Sequence, residues 1–436
     1  MRHALIALVL LTSCGKSATD SAPADADTDT DTDTDADTDA DTDADTDADT
    51  DTDTDTDTDT TDCLAPSADD QTVVQTALIE VEPGGTVCLQ KGTFTFTTEL
   101  SLTVDDVTLE GAGADATILD FSDQDVGGNG IAITSDGVTI RDLQVRDTPG
   151  DGIRATEVDN ISFVDMSVMW TKAASVDNGA YGLYPVGCTG VLVENTLVVG
   201  ARDAGIYVGQ SNRILVANNE VYGNVAGIEI ENSTDAEVRD NHVHDNTAGV
   251  LVFNLPDLPI QDGKRAKVHN NVIENNNLDN FAAAGTIVAD VPPGVGTFII
   301  AADDNEIHDN TIIGHRTTGS LVISYSDLVF GSTDDKAFDL WAEGNWIHDN
   351  TFQDNGYDPT GDLSAFIVDR PVPDIVFDGC IDPEKKPTPE LANCVSGNGK
   401  ATFYDVDLCG FFQAQSTDIG AVTCKQTSLP SIDPIQ

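Results

Sequence analysis

NEVYGN at 219–224, NHVHDN at 241–246, NVIENN at 271–276, NEIHDN at 305–310 and NWIHDN at 345–350 are five copies of one hexad, Asn-x-(Val or Ile)-x-x-Asn. The first two copies begin 22 residues apart, and the later steps of 30, 34 and 40 read as one coil plus an inserted loop. A second element runs in phase with the hexad, a glycine that opens a short strand. It occurs as Gly152-Ile153-Arg154-Ala155, Gly182-Leu183-Tyr184-Pro185, Gly205-Ile206-Tyr207-Val208, Gly227-Ile228-Glu229-Ile230 and Gly249-Val250-Leu251-Val252. Repeats of this length built from helices need long stretches of 3.6-residue periodicity, which are absent, whereas alternation over three or four residues fits short strands. Each coil then supplies strands that pair with the same strands above and below, and asparagines stacked at the corners satisfy amide groups of the neighbouring coils. The expected fold is all-β, a right-handed parallel β-helix.

Strand alternation sorts the glycine element into faces. Its second and fourth positions are apolar and belong in the core, so the third is expected to face solvent. Down that column stand Arg154, Tyr184, Tyr207, Glu229 and Leu251, spaced about 4.8 Å apart from coil to coil. Asp151 and Tyr181 precede their glycines, Arg202 and Asp203 lead into Gly205, and Gln210 and Asn232 follow theirs by five residues. The longer coil from Trp170 to Ala180, with Lys172 and Asp177, is placed as a wall of this strip.

Such a mixture suits a sugar. Tyrosines stack on pyranose faces, amides and carboxylates bond hydroxyls, and arginines neutralise a substrate carboxylate. Arg154, Tyr184, Tyr207, Asp203 and Glu229 are the catalytic candidates, and Tyr181, Arg202, Gln210, Asn232 and Lys172 the substrate-binding ones. Proton abstraction beside a uronate carboxyl needs a cation and a base, for which Arg154 or Arg202 and a tyrosine qualify. Hydrolysis needs two carboxylates, for which Asp203 and Glu229 qualify. An ordinary exposed face whose tyrosines and charges reinforce strand pairing accounts for the same residues. Whether the chain is an enzyme stays open.

His242 and His244 bracket Val243, and His308 and His348 are assigned equivalent places in their coils, so all four are expected on an outer face, distributed by the repeats rather than gathered around a metal. No metal site is assigned. Calcium is left open as a bridging ion.

The ends differ from the middle. Residues 1–14 read as a lipoprotein signal peptide: Arg2 and His3, an apolar run from Ala4 to Leu11 too short to span a bilayer, then Leu11-Thr12-Ser13-Cys14-Gly15. That last stretch resembles a bacterial lipobox, which implies lipidation of Cys14 and an anchor in the outer membrane, on either its periplasmic or its outer side. Residues 15–62 read as a disordered tether in which Asp alternates with Thr or Ala, too polar and too charged to collapse. Residues 63–370 are assigned to the β-helix and 371–436, which gain Pro and Cys, to a disulfide-containing cap or tail. Of the cysteines, Cys63 with Cys88 and two bridges within Cys380, Cys394, Cys409 and Cys424 fit the clustering, with Cys188 left as a buried thiol.

The formal charge is −57, and setting aside the 20 Asp of residues 20–62, Arg2 and Lys16 leaves 57 acidic and 18 basic residues, a net of −39. A body this acidic repels nucleic acid and bare anionic membranes. The expected partners are an extracellular polysaccharide or a cell-surface matrix.

The opening stretch Ala77 to Phe121 resembles the first coils of pectin-lyase-like proteins, which implies a capping element pinned by Cys63 and Cys88. The stretch Asn178 to Ser233, with Val291-Pro292-Pro293-Gly294, resembles bacterial parallel β-helix repeat proteins, a likeness that extends over most of Ala77 to Phe366 and implies fold more than activity. A more distant similarity is to mannuronan C5-epimerases, whose catalytic Tyr-Gly-Phe-Asp-Pro-His is met here by Tyr181-Gly182-Leu183-Tyr184-Pro185-Val186. Tyr184 and Val186 stand where that family has its Asp and His, so the resemblance does not carry the standard chemistry over.

Overall fold

The computed structural model describes residues 63–172, 174–327, 329–360 and 371–435. The signal peptide, Cys14 and the tether lie outside the described residues. Every strand pair joined into the three sheets is parallel. The first sheet runs from Thr86–Cys88 to Cys394–Ser396, the second from Gly92–Thr95 to Thr351–Gln353, and the third from Thr98–Leu102 to Phe403–Asp405. The chain visits the three in turn, so each circuit is one coil of a parallel β-helix, wound in the right-handed sense that twisted strands impose.

The interior follows from alternation. Phe94, Leu119, Val145, Val168, Val198, Val221, Val243, Ile273 and Ile312 stack down the second sheet, all buried, and equivalent Val, Ile and Leu columns line the other two. Thr297 and Ser320 enter this core from the third sheet, and they satisfy one another through a 2.7 Å hydrogen bond.

Asparagine ladders hold the corners. Asn219, Asn241, Asn271, Asn310, Asn350 and Asn398 follow one another, each Nδ2 donating to the next Oδ1 at 2.9–3.2 Å. Each backbone N–H donates to that same oxygen. The ladder corrects the reading of the hexad. Copies 219–224, 241–246 and 271–276 bracket strands of the second sheet, but copies 305–310 and 345–350 bracket Glu306–His308 and Trp346–His348 of the first. The 34-residue step is therefore a change of side, and the coil itself advances from Asn271 to Asn310. Any three-residue strand between two asparagine corners produces the same hexad, so the motif marks corners without saying which.

A helix, Asp70–Glu80, closes the first coil. Asp69 caps it by accepting from the Thr72 N–H, and Val74 and Leu78 are buried beneath it. Gln75 clamps Ser101 at both its N–H and its carbonyl, which covers strand groups that would otherwise invite pairing. Cys63 is bridged to Cys88, Cys380 to Cys409 and Cys394 to Cys424; Cys188 is free and buried. Burial pushes the Cys188 thiol up to about 11, away from thiolate chemistry.

Residues 371–435 do two things. Ile375–Phe377, Cys394–Ser396 and Phe403–Asp405 add strands to the third and first sheets, so the stack of coils continues past residue 370. The last residues then turn back across the outside of the first sheet, where Glu306 accepts from Ser428 Oγ and the Leu429 N–H, and Glu237 accepts from the Ile432 N–H.

The outer face of the third sheet carries a second apolar layer. Leu251, Phe298, Leu321 and Val376 form its column, and Phe338, Val372, Cys380, Val406 and Leu408 from the connections and the C-terminal region pack over them.

Candidate functional site

The alternation of the glycine elements holds in the structure, and Arg154, Tyr184, Tyr207, Glu229 and Leu251 all point away from the core on neighbouring strands of the third sheet. The expectation that the whole column faces solvent does not hold. Tyr207 is 4% exposed, Glu229 3% and Leu251 2%, because the outer apolar layer begins at Ala204 and Tyr207 and shuts water out of the strip from there upward. Only its lower part, with Arg154, Tyr184, Tyr181, Asp203 and Arg202, keeps an open side.

Three tyrosines form the centre. Tyr181 stacks on Tyr184 with centroids 4.5 Å apart, and Tyr207 meets both at 4.8–4.9 Å. The Arg154 guanidinium lies 4.9 Å over the Tyr184 ring, while its Nε donates to Thr156. Such packing fixes the cation beside the aromatic face. The Tyr207 hydroxyl donates to the Glu231 carboxylate in the next coil. Room for the phenol comes from Gly209, where a Cβ would collide with the Tyr207 ring and its oxygen.

Four carboxyl groups surround the tyrosines, and each is harder to ionise than usual. Burial pushes Asp151 up to about 6, against the pull of Arg154 and Arg202. Asp203 is pushed up to about 7 by burial, reinforced by Glu231 and Asp151 and opposed by the Tyr181 hydroxyl and Arg202. Glu229 is raised well above its ordinary range by burial and by Asp203 and Glu231, and burial raises Glu231 despite the Tyr207 bond. Like charges this close cannot all ionise. The same acids act on the phenols: burial, then Asp203 and Glu229, raise Tyr181, and burial with Glu231 raises Tyr207. Burial raises Tyr184 as well, so all three phenols hold their protons more tightly than usual, which disfavours the tyrosine base expected from sequence; Asp203, partly open and near neutrality, is a group suited to give or take a proton.

The remaining candidates divide. Arg202 donates to the Val176 carbonyl, so it braces the 171–180 insertion while its charge bears on Asp203. Lys172 stands exposed on that insertion. Gln210 occupies a corner with φ 50°, its N–H bonded to the Glu231 carbonyl and its side chain half-buried. Asn232 is corrected outright: fully buried, it donates to the Leu255 and Ile260 carbonyls and accepts from the Leu255 N–H, so it ties down a loop and cannot touch a substrate. Glu231 was absent from the candidates although its signal was present, since Gly-Ile-Glu-Ile-Glu continues the alternation by one more outward position.

The histidines also depart from expectation. His269, His308 and His348 stack on the first sheet at 4.8–4.9 Å, whereas His242 and His244 lie on the second. Parallel register gathers what the repeat seemed to scatter.

Residues 129–312 match the family model described as right handed beta helix region. Among solved structures the chain is similar to the A-module of the Azotobacter vinelandii mannuronan C-5 epimerase AlgE4, with 16% identity over 77% of this chain and 93% of that one, at a TM-score of 0.46. It is similar also to an alginate lyase from Paenibacillus sp. str. FPU-7, with 16% identity over 67% of this chain and 96% of that one, at a TM-score of 0.41. No curated protein matches the sequence. These likenesses concern the fold.

Proposed function

We propose that the chain is a lipid-anchored, exported protein whose β-helix binds an extracellular polysaccharide along the open part of the strip and processes it with Asp203 as acid and base. The observation that carries this reading is the state of Asp203, a carboxyl at about 7 with an open side, held between Tyr181 and Arg202. A group poised near the working pH both accepts and returns a proton. Tyr184 and Tyr181 offer ring faces to a pyranose, and Arg154 pairs with a uronate carboxylate. Ionised Asp203 then takes the proton from the carbon beside that carboxyl. Breaking the adjacent glycosidic C–O bond forms a carbon–carbon double bond, with the departing oxygen taking the proton that Asp203 removed; in the inverting route solvent water adds a proton to the opposite face instead, and Asp203 releases its own to solvent. Hydrolysis is the less favoured route, because Glu229 is sealed from any substrate.

The alternative is a non-catalytic scaffold or adhesin, and the closure of the strip above Tyr207 favours it. Cys14 and the tether supply the anchor and the reach in either case, on whichever side of the outer membrane the body stands.

The test is to incubate the purified chain with acidic and neutral polysaccharides, with and without calcium, following unsaturated products by absorbance and epimers by NMR. Products that vanish in Asp203→Asn and Arg154→Ala support the enzyme. Binding without products leaves a carbohydrate-binding module, and neither binding nor products on a broad panel overturns the reading in favour of the scaffold.

A further inference from the structure

On the outer side of the second sheet, three neighbouring strands bring two imidazoles and a set of carboxylates together. Glu220, His242 and His244 each present a ligand atom within 4.8 Å of the others. The register explains the cluster: Glu220 lies directly beside His242 in the coil below, and Glu274 directly beside His244 in the coil above. The side chains then cross diagonally, with His242 Nε2 at 2.9 Å from Glu274 and His244 Nε2 at 3.4 Å from Glu220. The two rings stack at 4.1 Å, and Tyr222 packs on His244 at 5.0 Å.

We propose that Glu220, His242 and His244, with Glu274 beside them on His242, bind one divalent transition-metal ion of the zinc class. Three observations carry the proposal. The first is the donor set: two imidazole nitrogens with carboxylate oxygens suit zinc and its neighbours, whereas calcium requires oxygen alone. The second is the support behind it. Asp245 holds His244 Nδ1 at 2.8 Å, the carboxylate–histidine arrangement that fixes the tautomer and turns Nε2 toward the ligand cluster. The third is charge. Glu220, Glu274 and Asp245 converge on this patch, and among the described residues their ion pairs are with the two histidines, not with Lys or Arg. A dication at this point compensates the three carboxylates. Coordination replaces the His244–Glu220 contact with metal bonds of about 2.0–2.2 Å and ties two neighbouring coils together. Glu220 is well exposed, so water completes the shell.

The experiment is calorimetric titration of the chelator-stripped full chain with zinc chloride, and separately with calcium chloride. The Asp-rich tether contributes the same weak background to every variant, so the difference between variants reads the site. The expected result is one zinc ion per chain bound at least tenfold more tightly in the natural protein than in His242→Asn or His244→Asn, with calcium heats unchanged between them. His308→Asn, on the other sheet, keeps the site. Zinc affinity and stoichiometry that are the same in all four proteins overturn the proposal, as does loss of the site in His308→Asn alone. Far-UV circular dichroism of each variant confirms that the coils are intact.

Discussion

The Tyr207 hydroxyl donates to the Glu231 carboxylate one coil away, across the bare backbone of Gly209. The pair sits where the open strip meets the apolar outer layer, so it seals that layer and also sets the acidity beside it. Tyr207→Phe leaves a buried carboxylate without its donor. Leaving a buried hydrogen-bonding group without its partner costs about 1–3 kcal/mol, and urea unfolding at neutral pH is expected to show a loss of that size with no change in slope.

Raised carboxyl groups make stability fall with rising pH. A folded group that holds its proton to higher pH than the unfolded chain stabilises the fold fully below the ordinary carboxylate range, and that contribution is lost as pH rises through the folded value. Asp151 at about 6 and Asp203 at about 7 place this loss between pH 4 and 7. Asp203→Asn is expected to flatten the curve and to raise stability at pH 8, on the order of 1–2 kcal/mol once solvent screening at its open side is allowed for. Unfolding midpoints at pH 5 and pH 8 for the two proteins check this, and a steeper curve in the variant contradicts it.

The corner ladder is a chain of shared bonds. Asn241 accepts two hydrogen bonds from Asn219 and donates to the Val216 carbonyl and to Asn271 Oδ1. Asn241→Ala strands buried donors and a carbonyl together, at about 1–3 kcal/mol for each unsatisfied group. A melting temperature lowered by several degrees is the expected outcome, and an unchanged one shows that water replaces the amide.

The C-terminal strap is held by acids. Burial pushes Glu306 up, but His348, the Leu429 N–H and Ser428 outweigh it and hold the carboxyl at about 2. A lowered value stabilises docking above the ordinary carboxylate range and loses that contribution as pH falls through 2. Glu306→Gln is expected to speed amide exchange at Leu429, whereas the Ile432 N–H, held by Glu237, keeps more of its protection. Equal protection in the variant and the natural protein means that packing alone seats the strap.

Much of the fold was legible before any coordinates. Inward Val and Ile, corner Asn and a coil of 22 residues are local facts, because strand alternation and backbone satisfaction act over a few residues. The disulfide Cys63–Cys88 and the buried Cys188 follow from the same local reading. Even the candidate strip was found by alternation, and Glu231 needed only one more step along the same strand.

What the sequence could not decide is what lies over a face and what lies beside it in the next coil. An outward Glu229 reads the same whether water or a layer built from residues a hundred positions later covers it, and only the packing of Phe338, Val372 and Val406 nearby makes that part of the sheet interior. Likewise, hexads of one spelling sit on two sides of the coil, so register alone gathers Glu220 with His242 and His244 and stacks His269 with His308 and His348. Alternation within a strand is set by neighbours in sequence, whereas burial, acidity and metal-ligand geometry are set by neighbours in space, which loops of unequal length bring together.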